Sequence, residues 1–226
     1  MPAERVIAIE AATGVSRAML RPDLYPETAI ALPAAPVDDV DAARARLYLL
    51  LGKLLRQAPD EAFLADLARL AGDGSEIGMA VIALADAARQ TTAAEVSHEF
   101  FALFVGVGRG EILPYASFYL TGFLNERPLA RVRADLARLG IARVDGDHEP
   151  EDHAGTLFET MAGLADGTFE ASAEEQQRLF TRHLAPWIER FFLDLEAAGS
   201  ARFYRSVARL GRAFVAIEAE GYAIAA

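Results

Sequence analysis

The run His148-Glu149-Pro150-Glu151-Asp152-His153 leads into Leu157, Met161 and Leu164, apolar residues spaced as on one face of a helix that reaches Ala165. Pro150 suits the first position of that helix, where its missing N–H costs nothing. Glu151 and Asp152 then fall in the first turn, where negative charge complements the helix dipole. His153 lies one turn before Leu157, so a histidine is expected where a buried face meets a helix mouth, beside a carboxylate. Two readings follow. Acidic residues at a helix start are ordinary capping chemistry, and a histidine at a core edge is commonly structural. The same ionisable group also makes a polar contact point for a partner. Metal ligation is disfavoured, because two ligands on one helical face need a spacing of three or four, and His148 and His153 do not have it.

Working outward, helical patterns lie on both sides. A helix from about Arg127 to Leu139 buries Leu129, Val132 and Leu136 and ends at Gly140. Its outer face carries Arg127, Arg131, Arg133 and Arg138, a basic patch in an otherwise acidic chain. The polar segment 141–148, which contains Gly146, joins this helix to the opening stretch. Upstream, Pro114-Tyr115-Ala116-Ser117-Phe118-Tyr119-Leu120 sets the hydroxyls of Tyr115, Ser117 and Tyr119 around an apolar core. It reads either as a helix start at the core boundary or as the wall of a groove for an apolar ligand. Thr92-Ala93-Ala94-Glu95 is a capping box that launches a helix with Val96, Phe100, Leu103 and Phe104 on one face. Gly106-Val107-Gly108-Arg109-Gly110 has no strand before it and no Lys-Ser/Thr after it, so it is a turn rather than a phosphate loop.

Three more helices precede these, beginning near Asp38 or Asp39, at Asp60 and near residue 75; the first is read as burying Ala43, Leu47, Leu50, Leu51, Leu54 and Leu55. Downstream, the capping box Ser172-Ala173-Glu174-Glu175 opens a helix carrying Leu179, Phe180 and Leu184. Pro186 interrupts its pattern and predicts a break, with His183 facing near Trp187. A last helix, about Ser200 to Glu220, is read as burying Phe203, Val207, Leu210, Phe214 and Ile217. No stretch alternates with period two and no hairpin signal occurs. The expected fold is all-α, a single bundle-like domain of about eight to ten helices over residues 38–226. Residues 1–37, with Pro22, Pro26, Pro33 and Pro36, read as a partly ordered arm.

Composition narrows the function. A hydrophobic fraction of 53% indicates a folded chain. With no cysteine, disulfides, thiol catalysis and thiolate metal ligation are excluded. A net charge of −11 repels phosphate backbones and anionic lipid, so neither nucleic acid nor a membrane surface is an expected partner. The N-terminus lacks the cationic start and unbroken apolar run of a secretory signal, and no stretch approaches the ~20 apolar residues of a membrane span. A cytoplasmic protein is expected.

Four segments, in order, resemble the TorD/DmsD/NarJ family of redox-enzyme maturation chaperones. They are Glu99-Phe100-Phe101-Ala102-Leu103-Phe104-Val105-Gly106, then Pro114 to Leu120, then Pro128-Leu129 with Leu136, Gly140 and Ile141 leading into Glu149-Pro150-Glu151-Asp152-His153, then Phe180-Thr181-Arg182-His183-Leu184-Ala185-Pro186-Trp187. With the Tyr48-Leu49-Leu50 helix they span roughly residues 40–220. The Glu-Pro-x-Asp-His run is the most telling match, and it is complete.

The resemblance implies a non-catalytic, all-helical cytoplasmic chaperone without a cofactor. Its partner would be the catalytic subunit of a molybdenum-cofactor oxidoreductase, bound through its twin-arginine leader or as apo-enzyme until the cofactor is inserted. Asp152 and His153 would contribute to peptide recognition, with Glu149 and Pro150 shaping the helix mouth. Physical chemistry is consistent with that role. Carboxylates at Glu151 and Asp152 suit a guanidinium, and Tyr115, Tyr119 and Phe104, with Ser117 and Trp187, suit an apolar helical segment. On this reading, alanine at Asp152 and His153 weakens binding and leaves folding untouched. A homodimer is compatible with the resemblance, since domain-swapped dimers occur in the family, and segment 141–148 would be the candidate hinge. The alternatives are a helical scaffold, a nucleotide-responsive switch, or an acid–base enzyme using Asp152 and His153. The last is disfavoured because adjacent helical residues point about 100° apart.

Overall fold

Side-chain caps set where many of the helices begin. In the computed structural model, which describes residues 39–143 and 146–224, Asp60 accepts from the Phe63 N–H and Ser75 from the Gly78 N–H. Thr92 and Ser172 each close a reciprocal capping box, with Glu95 and Glu175 respectively. The α-helices are α1 (Asp39–Arg56), α2 (Glu61–Leu67), α3 (Glu76–Arg89), α4 (Ala93–Phe100), α5 (Ala116–Thr121) and α6 (Arg127–Arg138). They continue with α7 (Ala154–Ala165), α8 (Ala173–His183), α9 (Ile188–Ala197) and α10 (Phe203–Ile224). The all-α expectation holds, and the break at Pro186 falls between α8 and α9.

The packing centres on α1 against α7, the most extensive helix pair. Two glycines bring them close: a Cβ on Gly155 would stand 2.9 Å from the Gly52 carbonyl, and one on Gly52 would stand 3.1 Å from that of Gly155. The long α10 lies across α9, α3 and α1. The Arg44 guanidinium of α1 donates to both oxygens of the buried Glu218 of α10, at 2.8 and 2.9 Å, and Tyr48 Oη adds a third bond at 2.7 Å. Tyr48, Phe158, Phe192 and Phe214 interlock edge to face in the core between these helices.

The structure differs from the sequence reading in four places. Ala43 and Ile217 are exposed, because Ala45 and Tyr48 of α1 and Phe214 and Val215 of α10 take the inward positions. The helix launched at Thr92 becomes a π-turn over Phe101–Val105, closed by a bond from the Gly106 N–H to the Phe101 carbonyl. The helix expected to open at Pro150 begins at Ala154. The last helix runs to Ile224. The expected arm over residues 1–37 lies outside the described residues.

Candidate functional site

Pro150 does not start α7, because the chain from Asp147 to His153 is bound instead to the segment that enters α5. Tyr115 and His153 form an isolated antiparallel bridge. The Ala116 N–H donates to the Asp152 carbonyl at 3.0 Å, and the Ala154 N–H donates to the Pro114 carbonyl at 2.7 Å. Two loops are thereby fixed side by side at one end of α7. The Asp147 carboxylate carries the outer end of the turn. It accepts from Arg56 of α1 at 2.7 Å and from the Glu149 N–H at 3.0 Å.

Asp152 and His153 lie inside this arrangement. Asp152 is 0% exposed, and its Oδ2 accepts from the Ser117 N–H at 2.8 Å at the start of α5. Asp152 therefore caps α5 across space rather than sitting in the first turn of α7. His153 is the N-cap of α7: its Nδ1 accepts from the Gly155 N–H at 3.0 Å, and its ring meets Tyr115 edge to face at 5.2 Å. An accepting Nδ1 requires the neutral ring. Burial, helped by the nearby Arg56 guanidinium, pushes its pKa down to about 3. Asp152 and His153 serve different partners, so they do not form an acid–base pair. Both are structural parts of the turn, and alanine at either removes a buried hydrogen bond. The expectation that such substitutions leave folding untouched is corrected on this ground.

Glu149 and Glu151 are the partly buried carboxylates of the turn. Glu149 accepts from Tyr115 Oη at 2.6 Å; burial and this carboxylate hold the phenol protonated by raising its pKa. Glu151 accepts from Arg133 Nε of α6 at 2.8 Å. Beside this pair lies an open groove of about 390 Å³, bordered by Arg133, Leu136, Gly140, Ile141, Arg143 and Glu151.

The remaining candidates fall into two other clusters. Tyr119, one turn along α5, packs on Trp187 at 5.4 Å and on Phe191 at 6.0 Å. Trp187 itself is buried, and its Nε1 donates to the His183 carbonyl at 2.6 Å. The His183 Nε2 in turn meets the Asp135 carboxylate of α6 at 2.7 Å. Phe104 stands apart, against Phe100 and Tyr204. Tyr115, Tyr119 and Phe104 thus pack on different aromatic partners.

The sequence reading missed an exposed apolar surface next to the turn. Leu120 lies in the last turn of α5, Phe123 and Leu124 follow it, and Phe123 is 70% exposed. Arg109 stacks over Phe118 of α5 at 5.3 Å, which brings the glycine turn and its exposed Val107 to the same helix. Phe101 and Val105 are also exposed, because the π-turn rotates them away from the buried Leu103. The pointer in the sequence was Gly122-Phe123-Leu124-Asn125, an apolar pair just past a helix-ending glycine, which periodicity alone does not assign to a face.

Among the described residues no group of three or more His, Asp or Glu side chains is arranged to hold a metal ion. No described helix is long and apolar enough to cross a membrane.

The family model of the nitrate reductase delta subunit matches residues 70–193, a span that includes the α5 segment, the 147–153 turn and the His183–Trp187 contact. The chain is 34% identical to the chaperone protein YcdY of Escherichia coli over 118 residues, covering 52% of this chain and 60% of that protein. It is 29% identical to the chaperone protein TorD of Vibrio cholerae over 136 residues, covering 56% of this chain and 62% of that one. The chain thus spans about three-fifths of the length of these curated relatives. A crystal structure described as that of a redox enzyme maturation protein from Archaeoglobus fulgidus shares the fold. Its TM-score is 0.53 at 18% identity, over 84% of this chain and 99% of that one. Since the family model matches more than half of the chain and its span holds both loops joined at Tyr115 and His153, the chain belongs to the nitrate reductase delta subunit family, which includes the TorD-like chaperones.

Proposed function

We propose that this protein is a cytoplasmic chaperone for the maturation of a molybdenum-cofactor oxidoreductase. It binds the twin-arginine leader of the catalytic subunit, or the apo-enzyme, before cofactor insertion and export. The observation that carries the reading is the turn itself. Glu149 and Glu151, both partly buried, belong to a turn bound to the start of α5, and the exposed Leu120, Phe123 and Leu124 lie at the far end of that helix. At 1.5 Å per residue, α5 separates the two features by only about 9 Å. A leader with an Arg-Arg pair followed by an apolar helical stretch matches that order of charge and apolar surface.

In this reading Glu149 and Glu151 meet the guanidinium groups, and Tyr115 orients Glu149. Asp152, His153 and Ser117 hold the turn. Tyr119, backed by Trp187, supports the apolar end, and Phe104 anchors the π-turn against Phe100 and Tyr204. The chaperone names of the relatives and the redox-maturation description of the structural neighbour support the partner class.

The test is capture from the native host with tagged protein, followed by calorimetric titration with the leader of the recovered partner. A molybdoenzyme subunit bearing a twin-arginine leader is expected. Glu149→Gln with Glu151→Gln should weaken leader binding by roughly five- to thirty-fold, the loss of two charge-assisted contacts, without changing the melting temperature by more than a few degrees. Recovery of no redox-enzyme subunit, together with no leader binding, would move the protein to the scaffold alternative.

A further inference from the structure

The Glu151–Arg133 pair joins a covered carboxylate of the turn to an exposed arginine of α6, in contrast to the Arg44–Glu218 clamp between α1 and α10. In the Arg44–Glu218 clamp, the guanidinium uses Nε and Nη2 on both oxygens of a carboxylate that is 4% exposed. Arg133 reaches Glu151 only through Nε and a single oxygen, and its side chain is 51% exposed. Its two terminal nitrogens make no hydrogen bond among the described residues. Glu151, by contrast, is largely covered, with 13% of its side chain exposed. A carboxylate so placed needs a cationic partner, and a single-point contact with an exposed arginine is the most easily exchanged way to supply one.

We infer that Arg133 is an internal stand-in for a client arginine: it occupies Glu151 in the free chaperone and is displaced when the leader binds. The inference rests on the leader-binding reading and names one subsite within it. Displacement has room to occur. The groove of about 390 Å³ opens beside the pair, and Leu136 and Ile141 offer apolar walls for the methylene stem of an incoming arginine. Arg133 swings out to solvent at little cost, since it projects from the outer face of α6. The exchange is guanidinium for guanidinium, so Glu151 is never left without a partner. Arg133 therefore sets selectivity: a ligand must offer more than one hydrogen bond to win the site, which favours the planar fork of arginine over lysine.

The test uses the full chain and two synthetic peptides, one with an Arg-Arg pair followed by a leucine-rich stretch and one with Lys-Lys in its place. Arg133→Gln should tighten binding of the Arg-Arg peptide by roughly two- to five-fold, the strength of one exposed ion pair. It should also narrow the preference for Arg-Arg over Lys-Lys. Arg127→Gln makes the same change of charge at the start of α6 and is the control for bulk electrostatics. Glu151→Gln should weaken binding whether or not Arg133 is present. Equal tightening by Arg127→Gln, or no tightening by Arg133→Gln while the wild type binds, overturns the stand-in and leaves the leader reading intact. Weaker binding by Arg133→Gln overturns it too and assigns the groove to an acidic group of the client. Failure of the wild type and Arg133→Gln alike to bind the Arg-Arg peptide removes the leader reading and this inference together.

Discussion

His153 shows how a residue's chemistry is decided by what touches it. In sequence it is a histidine beside an aspartate at a helix mouth; in the fold it is a neutral N-cap whose Nδ1 is already engaged. Its folded pKa of about 3 lies below the ordinary 6.5, so the unfolded chain binds a proton that the folded chain refuses. The stability that depends on the neutral ring is complete above pH 6.5, falls as pH drops towards 3 and is gone below it. One proton corresponds to about 1.4 kcal/mol per pH unit. Chemical denaturation of wild type should therefore lose about 2 kcal/mol more than His153→Asn between pH 7 and pH 5. Asparagine is chosen because it keeps the cap. Parallel pH profiles would show that the histidine is not held neutral. The residues of the motif were legible in the sequence, but their burial was not: Asp152 is hidden because Ser117 approaches from a segment more than thirty positions away.

At the scale of the element, the family's Glu99 has a purely architectural task. Its carboxylate accepts from the backbone N–H groups of Arg202, Phe203 and Tyr204 at 2.8, 3.1 and 2.8 Å. It thereby satisfies the first donors of α10, which has no side-chain cap of its own in sequence, and it complements the helix dipole there. Glu99→Ala should cost roughly 2–4 kcal/mol, since it strands partly buried donors, whereas Glu99→Gln should cost less than half as much. Thermal melts of the two variants check this; equal losses would point to packing rather than capping. Local caps such as Thr92 and Ser172 were readable because donor and acceptor lie three residues apart. Glu99, Glu111 and Asp152 were not, because their helices or turns lie far along the chain. The π-turn was equally hidden, since Val96 to Phe104 keep a helical apolar pattern while the backbone inserts one extra residue.

At the scale of the whole molecule, a chain of net charge −11 sets Arg127, Arg131, Arg133 and Arg138 on the outer face of α6, next to the acidic turn. Leader binding should weaken as salt is raised from 50 to 500 mM, because the groove at Glu151 is open to ions and the Debye length shrinks from about 14 Å to about 4 Å over this range. Affinity that is flat across this range, measured by fluorescence anisotropy, would place the whole interaction on the apolar surface at Phe123. The sequence by itself determined the fold class, most helix positions, the break at Pro186 and the family, since periodicity and caps are local and the motifs are short. Only the tertiary structure decided which side chains of the motif face outward. Facing is set by contacts between segments distant in sequence: α5 hides Asp152, α6 supplies the arginine on Glu151, and the π-turn exposes Phe101 and Val105.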